Sequence, residues 1–310
     1  MTGSSADRTW STSIPYLETR FPYIEHEDAT QALDNVAQYL CDNWPSNESD
    51  KPGSSFTLHR DGAAWATYVF PGALKGRIES AALVTQVIFL LDDATEEWTL
   101  AEKKQLFGRF PELVLGTTTP IPGNQYEVVI ADLFSRFRAT DKPGRLALGL
   151  KFCEENIHWL KTSTKQENRV HMWAYSLLYW VHDLSLPQYI QDDLDLRAVE
   201  DIGGRHGMLV NDLFSYDVEV NTAKRNSECR TITTIVNAIP VVMKEKSVKE
   251  EDAINFISNY IHQFEDEFLE IEAKLNAKYS GDDQRICERY EVWSGRDGAY
   301  DTIRFVSDLK

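Results

Sequence analysis

The sequence has few cysteines and no cysteine cluster. Its four cysteines stand far apart, at positions 41, 153, 229 and 287, and none belongs to a CxxC pair. Zinc sites are built from Cys and His ligands at short, characteristic spacings, so this distribution argues against one. Scattered cysteines also fit a reducing, intracellular compartment, where thiols stay free.

Long apolar runs are also missing. The longest mostly apolar stretch, 81–91, is interrupted by Thr85 and Gln86, and a bilayer span needs about 20 apolar residues. The first sixteen residues contain no apolar segment of the kind that forms a secretory signal. We therefore expect no membrane span and a cytoplasmic protein.

Basic residues are outnumbered, with 32 Lys and Arg against 49 Asp and Glu and a net charge of -17. Nucleic-acid binding needs clustered cations that contact phosphates, and anionic membrane surfaces need the same. The charge therefore argues against both partners. If the ligand is an anion, something other than the overall field of the protein must hold it.

Strand-like alternation of apolar and polar residues is almost absent, whereas apolar residues recur at helical spacing in many segments. Helices are predicted over 29–41, 76–98, 102–110, 126–139, 145–160, 167–184, 193–219, 231–243 and 250–278, with Pro111 ending the third. No composition break divides the chain. The prediction is all-α: an N-terminal arm over 1–28 and one domain over 29–310, with about ten helices around an apolar cavity.

A group of acids follows directly on the apolar helix predicted over 76–98. The sequence Asp92-Asp93-Ala-Thr-Glu96-Glu97 places two carboxylate pairs at four-residue spacing, so each pair shares a helical face. Carboxylates near a helix C-terminus repel each other and the helix dipole unless a cation lies between them. Oxygen ligands of this kind suit Mg2+. The alternative is a solvated helix end followed by an acidic loop.

A second oxygen cluster lies on the helix predicted over 193–219. Asn211, Ser215 and Glu219 recur every four residues and form a ladder along one stripe, with Gly204 and Gly207 further back on it. The small residues would leave room for a ligand; alternatively, the stripe faces water and the glycines allow close helix packing. If the two helices faced each other, they would frame a cavity with an acidic mouth and an apolar floor.

With these two motifs the chain resembles the class I terpene synthase family. The segment Asp92-Asp93-x-x-Glu96 resembles the aspartate-rich motif, and Asn211, Ser215 and Glu219 match the second metal motif, (N/D)Dxx(S/T)xxxE. The length and the single α domain are similar to microbial members of the trichodiene synthase type. The resemblance implies three Mg2+ ions, of which Asp92 would ligate two with the support of its acidic neighbours, while the ladder would hold the third.

Basic residues extend the resemblance. Arg169 stands where the family has an arginine that senses diphosphate, and Arg289-Tyr290 resembles its C-terminal arginine–tyrosine pair. The resemblance implies that these residues bind diphosphate. Family members often have a basic residue beside the glutamate of the second motif; here valines flank Glu219, so Lys224 or Arg225 would supply that cation.

The activity implied by the resemblance is that of a carbon–oxygen lyase. Such an enzyme ionises a linear prenyl diphosphate, here expected to be farnesyl diphosphate, and cyclises the cation to a sesquiterpene with release of diphosphate. The enzyme would be a monomer or a homodimer. Alternatives are a diterpene cyclase acting on geranylgeranyl diphosphate, a chain-elongating prenyltransferase, and a non-catalytic helical binding protein.

A cation formed during such a reaction needs apolar and aromatic walls, because aromatic faces attract cations and exclude water. Phe89 precedes Asp92 by one helical turn, and Trp173, Leu177 and Trp180 share another helical face. These four residues are the candidate cavity lining. An aromatic stripe at helical spacing is equally the mark of an ordinary packed core.

Overall fold

The structure is a computed structural model, and it describes residues 24–45, 54–162, 170–228, 235 and 237–279. Every regular element within these ranges is a helix, which confirms the all-α prediction. The described helices are α1 (Ala29–Asn43), α2 (Ser54–Ala63), α3 (Trp65–Val69), α4 (Ile78–Glu97), α5 (Leu100–Leu115), α6 (Gln125–Arg138), α7 (Leu148–Thr162), α8 (Val170–Val181), α9 (Gln188–Gln191), α10 (Leu194–Glu228), α11 (Ala238–Lys246) and α12 (Glu250–Lys278).

Contacts within the chain cluster into two units. The N-terminal unit holds α1 to α9 within Pro22–Asp193, and the C-terminal unit holds α10 to α12 within Leu194–Lys278. The domain boundaries that the sequence suggested, an arm over 1–28 and one domain over 29–310, stay a prediction. Most of the predicted arm lies outside the described residues.

Aromatic side chains fill the core of the N-terminal unit. The ring of Phe137 lies 4.2 Å from that of Trp180 and 4.5 Å from that of Phe152, centroid to centroid. All three side chains are almost completely buried. Because these rings come from α6, α7 and α8, their packing fixes the positions of the three helices.

Aliphatic side chains form the core of the C-terminal unit. Val210, Leu213 and Tyr216 on α10 pack in one buried cluster with Ile257 and Ile261 on α12. Both sets recur at intervals of three and four residues, which places each on one helical face. The bounds of α12 match the predicted 250–278. Helix α10 runs nine residues beyond its predicted end and reaches Glu228.

The prediction that Pro111 ends a helix is wrong. Helix α5 begins at a capping box, in which Thr99 and Glu102 each accept the other's backbone N–H, and it continues through Pro111. Phe110, Leu113 and Val114 are buried on both sides of the proline. Tertiary packing thus outweighs the hydrogen bond that a proline removes, and the helix ends only before Gly116, whose φ is 71°.

No helix in the described ranges combines the length and the apolar character that a membrane span requires.

Candidate metal centre

Helix α4 carries the acidic motif on its last two turns. Its middle, from Ala81 to Val87, is completely buried, whereas Phe89 is 50% exposed. The backbone of Asp92, Asp93 and Glu96 is helical, and the helix ends only before Trp98. The side chains of these acids lie outside the described part of the structure. The motif is thus placed at a helix C-terminus, as the sequence predicted.

The end of α4 is unfavourable for anions. Carbonyl groups without helical partners make a helix C-terminus partly negative, and carboxylates there are destabilised unless a cation compensates. The last turn of α4 contains no basic residue. A divalent cation therefore fits the chemistry of this donor set, because it satisfies both the carboxylates and the dipole.

Helix α10 carries the oxygen ladder in its middle. Asn211 is exposed, Ser215 and Glu219 are half-buried, and the Ser215 hydroxyl donates to Oε1 of Glu219 at 2.5 Å. The neighbouring face of α10 packs into the aliphatic core. Among the described residues, no atom lies within 4 Å of a side-chain carbon added at Gly207, one turn before Asn211 on the same stripe. An amide oxygen, a hydroxyl and a carboxylate together suit a hard divalent cation.

Asp212, the residue after Asn211, makes contacts that the sequence did not reveal. Oδ2 of Asp212 accepts the backbone N–H of Ala238 at 2.8 Å, and its backbone carbonyl accepts Nδ2 of Asn237 at 2.8 Å. Asn237 also caps α11, since its Oδ1 accepts the N–H of Ile239 at 3.0 Å. We call these three hydrogen bonds the α10–α11 clasp. The sequence pattern placed Asn237 inside a helix predicted over 231–243, whereas α11 begins at Ala238 and Asn237 is its N-cap.

Burial raises the pKa of Asp212 above its ordinary value, and the negative charge of Glu219 adds to the rise. The hydrogen bond from the Ala238 N–H works in the opposite direction, because it stabilises the ionised carboxylate. The ladder and the clasp are therefore electrostatically coupled, and a cation at the ladder would favour ionised Asp212.

The sequence and the fold of this chain are similar to those of known proteins. Residues 163–267 match the family model "Terpene synthase family 2, C-terminal metal binding", which includes the whole ladder. Aristolochene synthase from Penicillium roqueforti is 25% identical over 227 residues, which are 69% of this chain. The crystal structure of aristolochene synthase from the same organism covers 93% of this chain and 98% of its own, with a TM-score of 0.74 and 19% identity. The family model, the relatives and the shared fold together support a class I terpene synthase.

The relatives that this chain resembles carry different names. Sesquiterpene synthase 6 from Postia placenta is 23% identical over 279 residues, which are 83% of this chain and 77% of that protein. The match to the Penicillium roqueforti relative spans 65% of that protein's length. The described fold is that of the family, and a metal-binding region is part of it.

The predicted lining residues divide into two groups. Trp180 is 1% exposed and its indole N–H donates to Thr140 Oγ1 at 2.8 Å, while Leu177 is completely buried. Both side chains are thus packed inside the N-terminal unit, and their role in a cavity lining stays a prediction. Phe89, half exposed and one turn before Asp92, stays a candidate lining residue. The side chain of Trp173, on α8, lies outside the described part.

Several predicted diphosphate ligands lie outside the described residues. This holds for Arg169, Arg289, Tyr290 and the side chain of Arg225. Lys224 is described, and it is exposed on α10 five residues after Glu219. The roles of these residues stay predictions.

A cavity of about 310 Å3 in the N-terminal unit is distinct from the predicted site. It lies at the N-terminal end of α4, whereas the acids lie at the C-terminal end. Arg77 and Arg145 on its wall both pair with Asp183, at 3.0 and 3.3 Å. Within the described side chains no three His, Cys, Asp or Glu residues are grouped to hold a metal, which leaves the ladder, with its Asn and Ser, as the described oxygen cluster.

Proposed function

We propose that the chain ionises and cyclises farnesyl diphosphate to a cyclic sesquiterpene in a Mg2+-dependent reaction that releases diphosphate. The α10 ladder carries the proposal: Asn211, Ser215 and Glu219 lie on one stripe, two of them in contact at 2.5 Å, inside the region that matches a metal-binding family model. The acids at the end of α4 are the second set of donors.

Mg2+ would be bound by Asp92, Asp93 and Glu96 of α4 and by the three ladder residues of α10, with three ions in all. When bound, Mg2+ neutralises the diphosphate and stabilises the charge that develops as the C–O bond breaks. The remaining work belongs to the chain. The Ser215 hydroxyl fixes the Glu219 carboxylate by the hydrogen bond between them, so this pair of donors is already ordered.

Cationic side chains would bind the diphosphate oxygens directly. In the proposal Arg169, Arg289 and Tyr290 donate to the diphosphate, because guanidinium groups offer paired donors that match phosphate geometry. Lys224 or Arg225 adds a further cation beyond Glu219. Of these two, the exposed Lys224 has a described side chain.

Apolar side chains would keep water from the carbocation. Phe89 supports this role, because its ring is 50% exposed on a helix whose middle is buried, and it presents apolar surface one turn from the acids. Its face would attract a cation by up to about 2 kcal/mol in a desolvated site. Trp173, Leu177 and Trp180 complete the proposed lining.

The C15 substrate is supported by the names of the relatives. The proteins from Postia placenta and Galerina marginata are called sesquiterpene synthases, and a C15 precursor is the substrate that such names imply. A C20 substrate is the alternative that product analysis decides. We propose further a cytoplasmic monomer or homodimer.

The test is an incubation of the protein with farnesyl and with geranylgeranyl diphosphate, with Mg2+ or with a chelator, followed by gas chromatography–mass spectrometry. We expect a cyclic C15 product with Mg2+ and none with chelator. A larger turnover of geranylgeranyl diphosphate would indicate a diterpene cyclase in place of a sesquiterpene cyclase. Chain elongation on adding isopentenyl diphosphate would indicate a prenyltransferase, and no release of diphosphate under any condition would indicate a binding protein.

A double variant, Asn211→Ala with Ser215→Ala, tests the site. Removing two of three ladder ligands is expected to abolish turnover. The matched control is Asn255→Ala with Ser258→Ala, which removes the same groups from α12, where Ser258 Oγ donates to the Ile254 carbonyl of its own helix. Full activity in the ladder variant would refute the mechanism.

A further inference from the structure

In the α10–α11 clasp, the carboxylate of Asp212 accepts a hydrogen bond and is therefore not free to bind a metal. Asp212 directly follows Asn211, and a carboxylate is a better ligand for Mg2+ than an amide oxygen. One of its oxygens nevertheless accepts the Ala238 N–H at 2.8 Å. Helix N-termini stabilise anions, and a charge-assisted hydrogen bond to a backbone N–H is a strong one. The sequence alone does not distinguish this use from metal binding.

The other end of the clasp is anchored in the core. Asn237 is 5% exposed and donates to the Asp212 carbonyl, while Ile239, whose N–H the Asn237 side chain accepts, is completely buried. Helix α11 therefore cannot shift against α10 without breaking two partly buried hydrogen bonds, and polar groups that lose their partners away from water are costly.

The clasp lies next to the ladder. Ser215 follows Asp212 by three residues. Both therefore lie within one turn of α10, because an α-helix has about 3.6 residues per turn. A small rotation of α10 about its axis would thus displace Asn211 and Ser215 together. Metal sites require their ligands to be held to within about 0.5 Å.

We propose that Asp212 is a positioning residue for the α10 metal ligands and is not itself a ligand. The Ala238 N–H is the partner of its carboxylate, and Asn237 is the partner of its backbone carbonyl. This inference rests on the proposed function, because it assigns the ladder to metal. Asp212 sets the rotation of α10 through its contact with α11, and thereby sets the metal affinity of Asn211, Ser215 and Glu219.

Four variants test it: Asp212→Ala, Asp212→Asn, Asn237→Ala, and the double alanine variant. The control, Asp201→Ala, removes another α10 carboxylate, one that pairs on the surface with Arg205 at 2.6 Å. The first readout is the Mg2+ concentration that gives half-maximal activity. The second is the hydrogen-exchange rate of the Ala238 backbone amide in the metal-free protein.

We expect Asp212→Ala to raise the required Mg2+ concentration by roughly 10- to 100-fold, the usual effect of losing a group that orients a ligand. Asp212→Asn keeps an oxygen that accepts the Ala238 N–H and restores most of the Mg2+ response. Asn237→Ala shifts the response in the same direction as Asp212→Ala, because it removes the hydrogen bond that the Asp212 backbone carbonyl accepts. The double variant removes both hydrogen bonds between α10 and α11 and is at least as impaired as either single variant. If Asp212→Ala does not fold, Asp212→Asn and Asn237→Ala carry the test.

A wild-type Mg2+ response in Asp212→Ala would overturn the proposal, as would an Asp212→Asn variant no better than the alanine variant. The exchange rate separates this result from a failure of the proposed function. Faster exchange at Ala238 in Asp212→Ala but not in Asp212→Asn supports the clasp even if the wild type turns over no prenyl diphosphate. Unchanged exchange in both variants refutes the clasp even in an active enzyme.

Discussion

The two metal motifs differ in how their helices support them. The acids on α4 end an apolar helix whose middle is buried and whose last turn has no basic residue. The ladder lies in the middle of the 35-residue helix α10, combines one acid with two neutral donors, and is held at its side by the α10–α11 clasp. In the proposal, the α4 motif contributes mainly negative charge to the metal site, and the α10 motif contributes mainly donors in fixed positions. Each predicts a different response to substitution.

The largest effect is expected at the α4 motif. Asp92→Ala removes a carboxylate that, in the proposal, binds two metal ions, and it should lower turnover by roughly a thousandfold or more, equivalent to several kcal/mol of metal-dependent transition-state stabilisation. The matched control is Asp42→Ala, an aspartate at the C-terminal end of α1 that accepts from Gln38 at 2.9 Å. Turnover within tenfold of wild type in Asp92→Ala would remove α4 from the site.

The next effect concerns stability of the N-terminal unit, which houses α4. Trp180→Ala empties a site against Phe137 and removes the hydrogen bond to Thr140. The free energy of unfolding should fall by about 3 to 5 kcal/mol, as for other buried aromatic truncations. Phe89→Ala, at a half-exposed site, should change stability little and the product distribution more. Denaturant unfolding and product analysis of both variants check this. A large loss of stability in Phe89→Ala, or a changed product distribution at unchanged stability in Trp180→Ala, would contradict it.

A smaller effect is expected at the α10 ladder. Ser215→Ala leaves the carboxylate of Glu219 and the amide of Asn211 in place but removes the hydroxyl that orders Glu219 at 2.5 Å. We expect a loss of roughly 10- to 100-fold, mainly as a weaker response to Mg2+. A Mg2+ titration of activity measures it, with Ser258→Ala as control. A loss as large as that of Asp92→Ala would contradict the division between charge and geometry.

The smallest effect is a pH dependence within the C-terminal unit. Glu265 on α12 contacts Nε2 of His206 at 3.4 Å and Nδ1 of His262 at 2.9 Å. Burial holds the pKa of His206 below its ordinary 6.5. Burial also tends to raise the pKa of Glu265, but its hydrogen bonds to the two histidines outweigh this effect and hold it below 4.5.

The unfolded chain therefore takes up protons at pH values where the folded chain does not, and stability falls as the pH drops through about 6.5 and then through about 4.5. His206→Gln keeps a hydrogen-bond donor and removes the first step. Denaturant unfolding at about pH 7.5 and about pH 5.5 should show a smaller difference for the variant than for wild type. Equal differences would show that His206 does not titrate in this way.

Much of the fold followed from helical periodicity. It placed α12 at its observed bounds because a single apolar stripe runs its whole length. It missed α2, whose Gly62 interrupts any pattern and lies against the side chain of Gln86 on α4. It also ended α5 at Pro111, because a local rule does not register the burial of Leu113 and Val114.

The sequence predicted the donor residues of the candidate site but not the contacts that hold them in place. Residue type and four-residue spacing identified the ladder and the α4 acids, because ligand chemistry is local in sequence. The role of Asp212 was not predictable, since its partner is a backbone N–H that lies 26 residues away. Backbone groups carry no residue identity, so their partners are known only from the fold.

The most direct test of the account is turnover of farnesyl diphosphate by the wild-type chain with and without Mg2+. A chain with a net charge of -17 should hold an anionic substrate only when divalent ions lie between them. The account predicts release of diphosphate and a cyclic C15 product with Mg2+, and neither in the presence of a chelator. Equal product formation in chelator, or no diphosphate release with Mg2+, would contradict it.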